Sequence, residues 1–345
     1  MTATTHPAAG DGRPTLRQVA ELAGVSIKTA SRALNGDAHV RDVTSTRVHA
    51  AADQLGFRLN GLARELRRGG RAASVGLVIG DLANPFYSRI ARGAEQVLRG
   101  HGLQLVTCST NEDAATERAL TASLVQQRVR ALLVVPTTED SAHLADEQRH
   151  GMPVVCLDRR PVGAEIDSIV LDNRRGAVAA AEHLLRAGHR RIGLVGDFSR
   201  LSTHRERVAG FGEALRAAGI AEWQRHVRGD SHDEASAELI THQLLSLREP
   251  PTALFTTNNR NTVGALRALR SLGPAAPRPA LVGFDDFALA DVLGITVVAH
   301  EPEDMGRLGA DLALARAEGT GPDGVRSLVL PTRLVARGSG EVPPP

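Results

Sequence analysis

Ile27, Lys28, Ser31 and Arg32 fall on one side of a short predicted helix, and together they are equipped to read DNA. Arginine and lysine donate hydrogen bonds to guanine O6 and N7, and each well-placed contact discriminates between bases by about 1–3 kcal/mol. Ile27 has no hydrogen-bonding group and can only pack against an apolar feature such as a thymine methyl. Lys28 is the one lysine among the 41 lysines and arginines of the chain. That bias is what a GC-rich genome produces, so the rarity of Lys28 says less than its position.

The elements around these residues read as helix, tight turn, helix. Leu16, Val19, Ala20 and Ala23 recur at helical spacing. Gly24 stops the first helix, because glycine readily adopts the left-handed cap conformation. Ser26 is a natural N-cap for the second, its hydroxyl accepting a free backbone N–H. Ala30, Ala33 and Leu34 then face the first helix, which turns the candidate base readers outward. Asn35 and Gly36 end the helix, and a third follows over 44–56, with Arg47, Val48, Ala51, Ala52 and Leu55 in its period. Two short helices joined by a glycine-containing turn form the motif whose second helix enters the major groove. A generic helical hairpin would carry the same periodicity, with Lys28 and Arg32 as solvated charges.

The stretch TLRQVAELAGVSIKTASRALNG, followed by HV, T, LGF and N..AREL, resembles the lactose-repressor (LacI/GalR) family of bacterial transcription factors. The resemblance implies base-reading roles for Ile27, Lys28 and Arg32. It places Ser26, Thr29, Ser31 and Asn35 at phosphate-contacting or bracing positions, with Thr15 and His39 also among the DNA contacts. Residues 60–68 resemble the family's hinge helix, which adds Asn60, Ala63 and Leu66. So short a helix is unstable alone in water; it is expected to fold when two copies pair on DNA, Leu66 wedging into the minor groove. The alternative is that Leu62 and Leu66 pack on the body of the protein. Leu59 stands where the family usually has proline, which loosens the start of the hinge.

Charge divides the chain in the same way. Residues 13–71 carry eleven basic and five acidic side chains, a net of +6 within a chain whose total is +2. A basic head on a slightly acidic body binds phosphates by releasing counterions, so affinity should fall steeply with salt.

Beyond residue 74, apolar runs alternate with helical patterns. Strand-like runs fall at 75–80, 103–108, 131–136, 153–158, 168–171, 191–196, 226–229, 252–257, 280–284 and 296–299, with helices between most of them. Such βαβα alternation predicts an α/β fold with parallel sheets covered on both faces, and ligands at the carboxyl ends of the strands. The resemblance continues through NPFYSRIARGAE, VLDNRRGA, GHRRIGLVG, PTALFTTNN and LVGFDDFALADVL, covering roughly residues 15–338. It implies a periplasmic-binding-protein-like core of two α/β subdomains around a cleft, crossed by the chain near 171, 300 and 328. The expected organisation is a disordered tail (1–13), an all-α helix-turn-helix head (14–59), a hinge and linker (60–71), the core (72–340) and a loose tail (341–345). Within the core, one subdomain takes about 72–171 and 301–328, the other 172–300 and 329–340.

Strand ends supply the candidate effector contacts. Phe86, Tyr87, Asp158, Arg159, Thr203, Arg207, Asn258, Asp285 and Glu301 match the family's effector positions. Carboxylate, amide and guanidinium groups suit sugar hydroxyls, which donate and accept at once. An aromatic face suits the apolar side of a sugar or a base. Asn259 replaces a common aspartate, Glu301 a frequent glutamine, and Ser231 the aromatic of purine-binding members, which argues against a purine.

Other classes fare worse. No GxxxxGK[ST] loop or HExxH pair occurs, so an enzyme is not expected, nor a cofactor or metal. No apolar run reaches the eighteen or so residues that span a membrane, and residues 1–12 lack a signal-peptide stretch, so a cytoplasmic, nucleoid-associated protein is expected rather than a periplasmic sugar carrier. Cys108 and Cys156 are expected to be free thiols. The implied function is a homodimeric repressor of a palindromic operator in double-stranded DNA, controlled by a carbohydrate effector; the alternatives are an activator, a co-repressor-dependent regulator or one answering to a protein co-effector, and the same parts serve an effector that releases the protein from DNA or one that recruits it. Lys28→Ala should relax preference at one base pair per half-site while leaving non-specific binding nearly intact, as measured with systematically varied duplexes. A uniform loss over all sequences would make Lys28 a phosphate contact instead.

Overall fold

The computed structural model describes residues 14–37, 39–58, 73–137, 140–273 and 278–345. The expected tail 1–13, Leu59 and the expected hinge residues Asn60, Ala63 and Leu66 lie outside the described residues. The chain divides into two compact units, Met1–Ala72 and Ala73–Pro345.

The described residues of the first unit form three helices, α1 (Leu16–Leu22), α2 (Ile27–Leu34) and α3 (Asp42–Leu55). Thr15 caps α1 in a capping box with Gln18, and Ser26 caps α2 by accepting from the Thr29 N–H at 3.1 Å. Gly24 adopts φ +61° between them, as the turn requires. The core is built of small residues, Val19, Ala20, Ala23, Ala30, Ala33, Val48, Ala51 and Ala52, so the helices approach closely. The third helix begins at Asp42, two residues before its expected start, because Asp42 is a favourable acidic residue in the first turn.

The second unit is built on two six-stranded sheets. The first has the order β11-β5-β4-β3-β1-β2, from β1 (Ser74–Ile79), β2 (Gln104–Ser109), β3 (Leu132–Val134), β4 (Val154–Asp158), β5 (Asp167–Leu171) and β11 (Ser327–Leu330). All its pairings are parallel. The second has the order β12-β10-β9-β8-β6-β7, from β6 (Ile192–Val195), β7 (Val227–Arg228), β8 (Ala253–Thr256), β9 (Ala280–Phe284), β10 (Thr296–Ala299) and β12 (Arg333–Val335). Here only β12 runs antiparallel. Strands β4, β5 and β9 are buried along their whole length, as parallel strands covered on both faces must be.

Helices α4 (Pro85–Gly100) and α5 (Ala114–Gln126) belong to the first half, with α6 (Ala142–Arg149). The second half contributes α7 (Asn173–Arg186), α8 (Ser202–Ala217), α9 (Glu234–Leu245) and α10 (Asn259–Ser271), and α11 (Pro302–Glu318) follows the second crossing. Close helix packing against α4 depends on Gly306 of α11, where a β-carbon would overlap the Ile90 carbonyl oxygen.

Three features depart from the sequence reading. The third crossing falls at Pro331 and Thr332 rather than near 328, because β11 still pairs with β5 up to Leu330. Strands β11 and β12 are short edge strands with no alternating apolar pattern, β11 largely exposed and β12 half-buried, and they lie outside the strand expectations. The expected loose C-terminus is instead held: the Val342 carbonyl lies 2.8 Å from His189 Nε2, and Glu341 accepts from Thr296 Oγ1 at 2.9 Å. Both thiols are free, Cys156 buried and Cys108 partly so.

Candidate functional sites

In the head, α2 presents Ile27 (48% exposed), Lys28 and Arg32 outward, opposite the buried Ala30 and Ala33. The residues expected to grip phosphates or brace the motif are bound into its helix ends. Ser26 Oγ lies 2.8 Å from Thr29 Oγ1. Asn35 Nδ2 donates to the Ser31 carbonyl at 2.6 Å, and Thr15 holds the start of α1. His39 is exposed, and its N–H donates to Asp37 Oδ1 at 3.0 Å. Arg32 Nε donates to the other Asp37 oxygen at 2.7 Å.

In the second unit, strand ends gather the remaining candidates. Asp158 is the last residue of β4 and Asp285 follows β9 directly. Both take the left-handed conformation, with φ of +64° and +71°. Aspartate tolerates that conformation better than most residues, and it turns each carboxylate off the end of its sheet. Phe86 and Tyr87 lie in the first turn of α4, whose N-cap Asn84 follows β1. Thr203 and Arg207 lie on α8, and Asn258 caps α10 by accepting from the Asn261 N–H at 2.7 Å.

Arg207 organises the second half. Its Nε donates to Asn173 Oδ1 at 2.8 Å, Nη1 donates to the Thr257 carbonyl, and the guanidinium lies 3.7 Å from the centre of the Phe284 ring. Arg159 organises the first. Its two terminal nitrogens donate to the two Glu112 oxygens, each at 2.7 Å, and one of them reaches Tyr87 Oη at 3.1 Å. Asp285 Oδ1 pairs with His300 Nε2 at 2.8 Å, and Oδ2 accepts from the Asn259 N–H at 3.3 Å. Phe86 stands edge-on to the His300 ring.

The two aspartates differ electrostatically. Burial pushes the Asp158 carboxyl up to about 6, with the Asp285 charge adding to the effect and Arg159 and Arg207 opposing it. Burial acts on Asp285 too, but the His300 hydrogen bond and the Arg207 charge outweigh it and hold that carboxyl below its ordinary value. Asp158 Oδ1, Arg159 Nε, Asn259 Oδ1 and His300 Nδ1 are buried without a hydrogen-bond partner among the described residues. Three polar links join the halves nearby. Asn259 Nδ2 donates to Asn84 Oδ1 at 2.9 Å, Arg260 pairs with Asp81, and Arg200 Nη2 donates to the Glu112 carbonyl at 2.8 Å.

Phe86, Tyr87, Asp158, Arg159, Thr203, Arg207, Asn258 and Asp285 are thus all buried side chains at strand ends. Glu301 is not: its side chain is 57% exposed and pairs with Arg89 and Arg333, each at 3.6 Å. His300, one residue earlier, takes the inward position and sends its neighbour outward. Glu112, Asn173, His300 and Asp197, which accepts from Asn258 Nδ2 at 2.9 Å, lie outside the sequence expectations. Glu112 follows β2, so the strand-end rule that picked out Asp158 applied to it equally.

Comparison with known proteins follows the same division. Residues 15–60 match the family described as bacterial regulatory proteins, lacI family. Residues 72–329 match periplasmic binding proteins and sugar binding domain of LacI family. The HTH-type transcriptional regulator PtxS of Pseudomonas aeruginosa is 33% identical over 95% of this chain and 96% of its own. The HTH-type transcriptional regulator GalR of Escherichia coli is 32% identical over the same shares of the two chains. The crystal structure of the lac repressor dimer bound to operator and the anti-inducer ONPF superposes with a TM-score of 0.79 at 25% identity, covering 96% of this chain and 100% of that one.

The Asp158 carboxyl provides a test of the buried cluster. Its ordinary value is 3.8 and its folded value about 6, so between those pH values the folded state holds a proton that the unfolded state has released. The stability contributed by that proton is complete below about pH 4 and is lost as pH rises through 6. Asp158→Asn removes the titration. Its stability relative to wild type, measured by denaturant unfolding, should therefore rise by roughly 3 kcal/mol between about pH 4 and pH 7, from two pKa units at about 1.4 kcal/mol each. A pH-independent difference would contradict the buried, charge-opposed environment of Asp158.

Proposed function

The chain belongs to the LacI family of bacterial regulatory proteins, and from that premise we propose that it is a repressor released from its operator by an uncharged sugar. It is a DNA-binding transcriptional regulator, and α2 presents the face that enters the major groove. Two heads of a dimer meet the two half-sites of a palindrome, since a two-fold assembly matches two-fold DNA. The protein acts in the cytoplasm, where its operator is.

The observation that carries the effector reading is the balance of charge in the cleft. Glu112, Asp158 and Asp285 are buried there and Asp197 is half-buried, facing the guanidinium groups of Arg159 and Arg207 and the His232 and His300 rings. Both terminal nitrogens of Arg159 are already committed to Glu112. A phosphate or carboxylate would meet excess negative charge without a free bidentate partner. A sugar hydroxyl brings no charge, donates to Asp158 Oδ1 or Asn259 Oδ1, and accepts from Arg159 Nε, which satisfies buried atoms that otherwise cost about 1–3 kcal/mol each. Phe86 offers the apolar surface that a sugar ring needs.

Binding there acts on both halves at once, because the cluster draws on both sheets. Drawing the halves together or apart is a hinge motion about three chain crossings, and the hinge segment 60–68 is the proposed recipient of that motion. Gel shifts with the DNA upstream of the protein's own gene should show palindrome-dependent binding at low salt. A neutral pentose or hexose should weaken it, and the corresponding sugar phosphate should not. Absence of palindrome-dependent binding at low salt would overturn the repressor reading; release by the phosphate alone would overturn the uncharged effector.

A further inference from the structure

The end of α2 contains a device that its sequence position alone does not disclose. Gly36, at φ +71°, folds the chain back over the last helical turn. The Gly36 N–H donates to the Ala33 carbonyl at 3.0 Å and the Asp37 N–H to the Arg32 carbonyl at 3.1 Å. This pair of bonds is a Schellman cap, which satisfies the last carbonyls of the helix. It also fixes the Asp37 backbone to that of Arg32. The side chains then meet, Arg32 Nε donating to Asp37 Oδ2 at 2.7 Å. Asp37 Oδ1 is held in turn by the His39 N–H at 3.0 Å, with His39 Nδ1 at 2.9 Å. The carboxylate is thus gripped from both sides and cannot rotate without breaking one of them.

We propose that Asp37 is a positioning residue for base recognition, holding the Arg32 guanidinium by its Nε so that the Nη1 and Nη2 edge is presented to a guanine. That edge is the one that meets guanine O6 and N7 as a pair. The proposal rests on the reading that Arg32 faces a base in the major groove. An exposed arginine otherwise spreads over many rotamers, and a guanidinium fixed beforehand loses less freedom on binding. The Arg32 hydrogen bond holds the Asp37 carboxyl well below the ordinary carboxylate range, so the brace stays charged across the working pH. The same negative charge is unfavourable beside phosphates. Asp37 therefore trades non-specific affinity for discrimination, a signature that a purely structural residue does not have.

The test uses the full-length protein and duplexes in which each half-site position is varied in turn. Arg32→Ala identifies the base pair that Arg32 reads. Asp37→Ala and Asp37→Ser should lose about tenfold in discrimination at that same base pair and little elsewhere, a loss within the range of one bidentate contact. Their affinity for non-specific DNA should be unchanged or higher. Asp37→Asn, which keeps an oxygen for Arg32 Nε, should retain most of the preference. Unaltered preference in Asp37→Ala and Asp37→Ser would overturn the proposal while leaving the Arg32 reading intact. An equal loss at every position, with weaker non-specific binding, would overturn it in favour of a structural role. If Arg32→Ala itself loses no base preference, the reading of Arg32 and the proposal fall together.

Discussion

Charge buried between the carboxyl ends of two largely parallel sheets is the constraint around which the larger unit is arranged. Parallel sheets bury both faces under helices, so polar function is confined to strand ends. Here those ends bring Asp158 and Arg159 from one sheet within electrostatic reach of Arg207, Asp285 and His300 from the other. Buried charges are tolerable only when paired or hydrogen-bonded. The pairs Arg159–Glu112, Arg207–Asn173 and Asp285–His300 meet that requirement. Asp158 meets it poorly, which is why its carboxyl rises to about 6.

The arrangement also explains how one small molecule can act on a whole protein. Both halves contribute polar groups to the cluster, so the proposed ligand would engage both. Near the cluster the halves are joined by polar links, Asn84–Asn259, Asp81–Arg260 and Arg200 to the Glu112 carbonyl. Such links can be exchanged for ligand contacts at modest cost, whereas the apolar cores beneath each sheet cannot. The head follows the opposite design. It is packed from alanine and valine, its helix starts are capped by Thr15 and Ser26, and Ile27, Lys28 and Arg32 share one outward face.

Much of this was legible in the sequence because it follows from local rules. Period, caps and glycine turns located α1 and α2, and the same rules set Ile27, Lys28 and Arg32 on the exposed face. Apolar runs located β1 to β10, and the residues after them gave Asp158, Arg159 and Arg207. What escaped was pairing across long sequence separations. Nothing local says that Glu112 will clasp Arg159, 47 residues later, or that β11 and β12 will complete opposite sheets, since both are short edges. Glu301 and His300 illustrate the finest limit: adjacent residues after a strand, of which one points in and one out, with the choice made by packing against Phe86 and Asp285.

Under the proposed function, occupancy of the cleft and binding of DNA are two readings of one equilibrium. Such coupling is reciprocal by thermodynamic necessity, typically 1–3 kcal/mol. Titrating the released-state sugar calorimetrically into the free protein and into its operator complex tests this directly. The account predicts weaker sugar binding to the complex, by the same factor, roughly five- to 150-fold, by which the sugar weakens operator affinity. Equal sugar affinity for the free and operator-bound protein would contradict it.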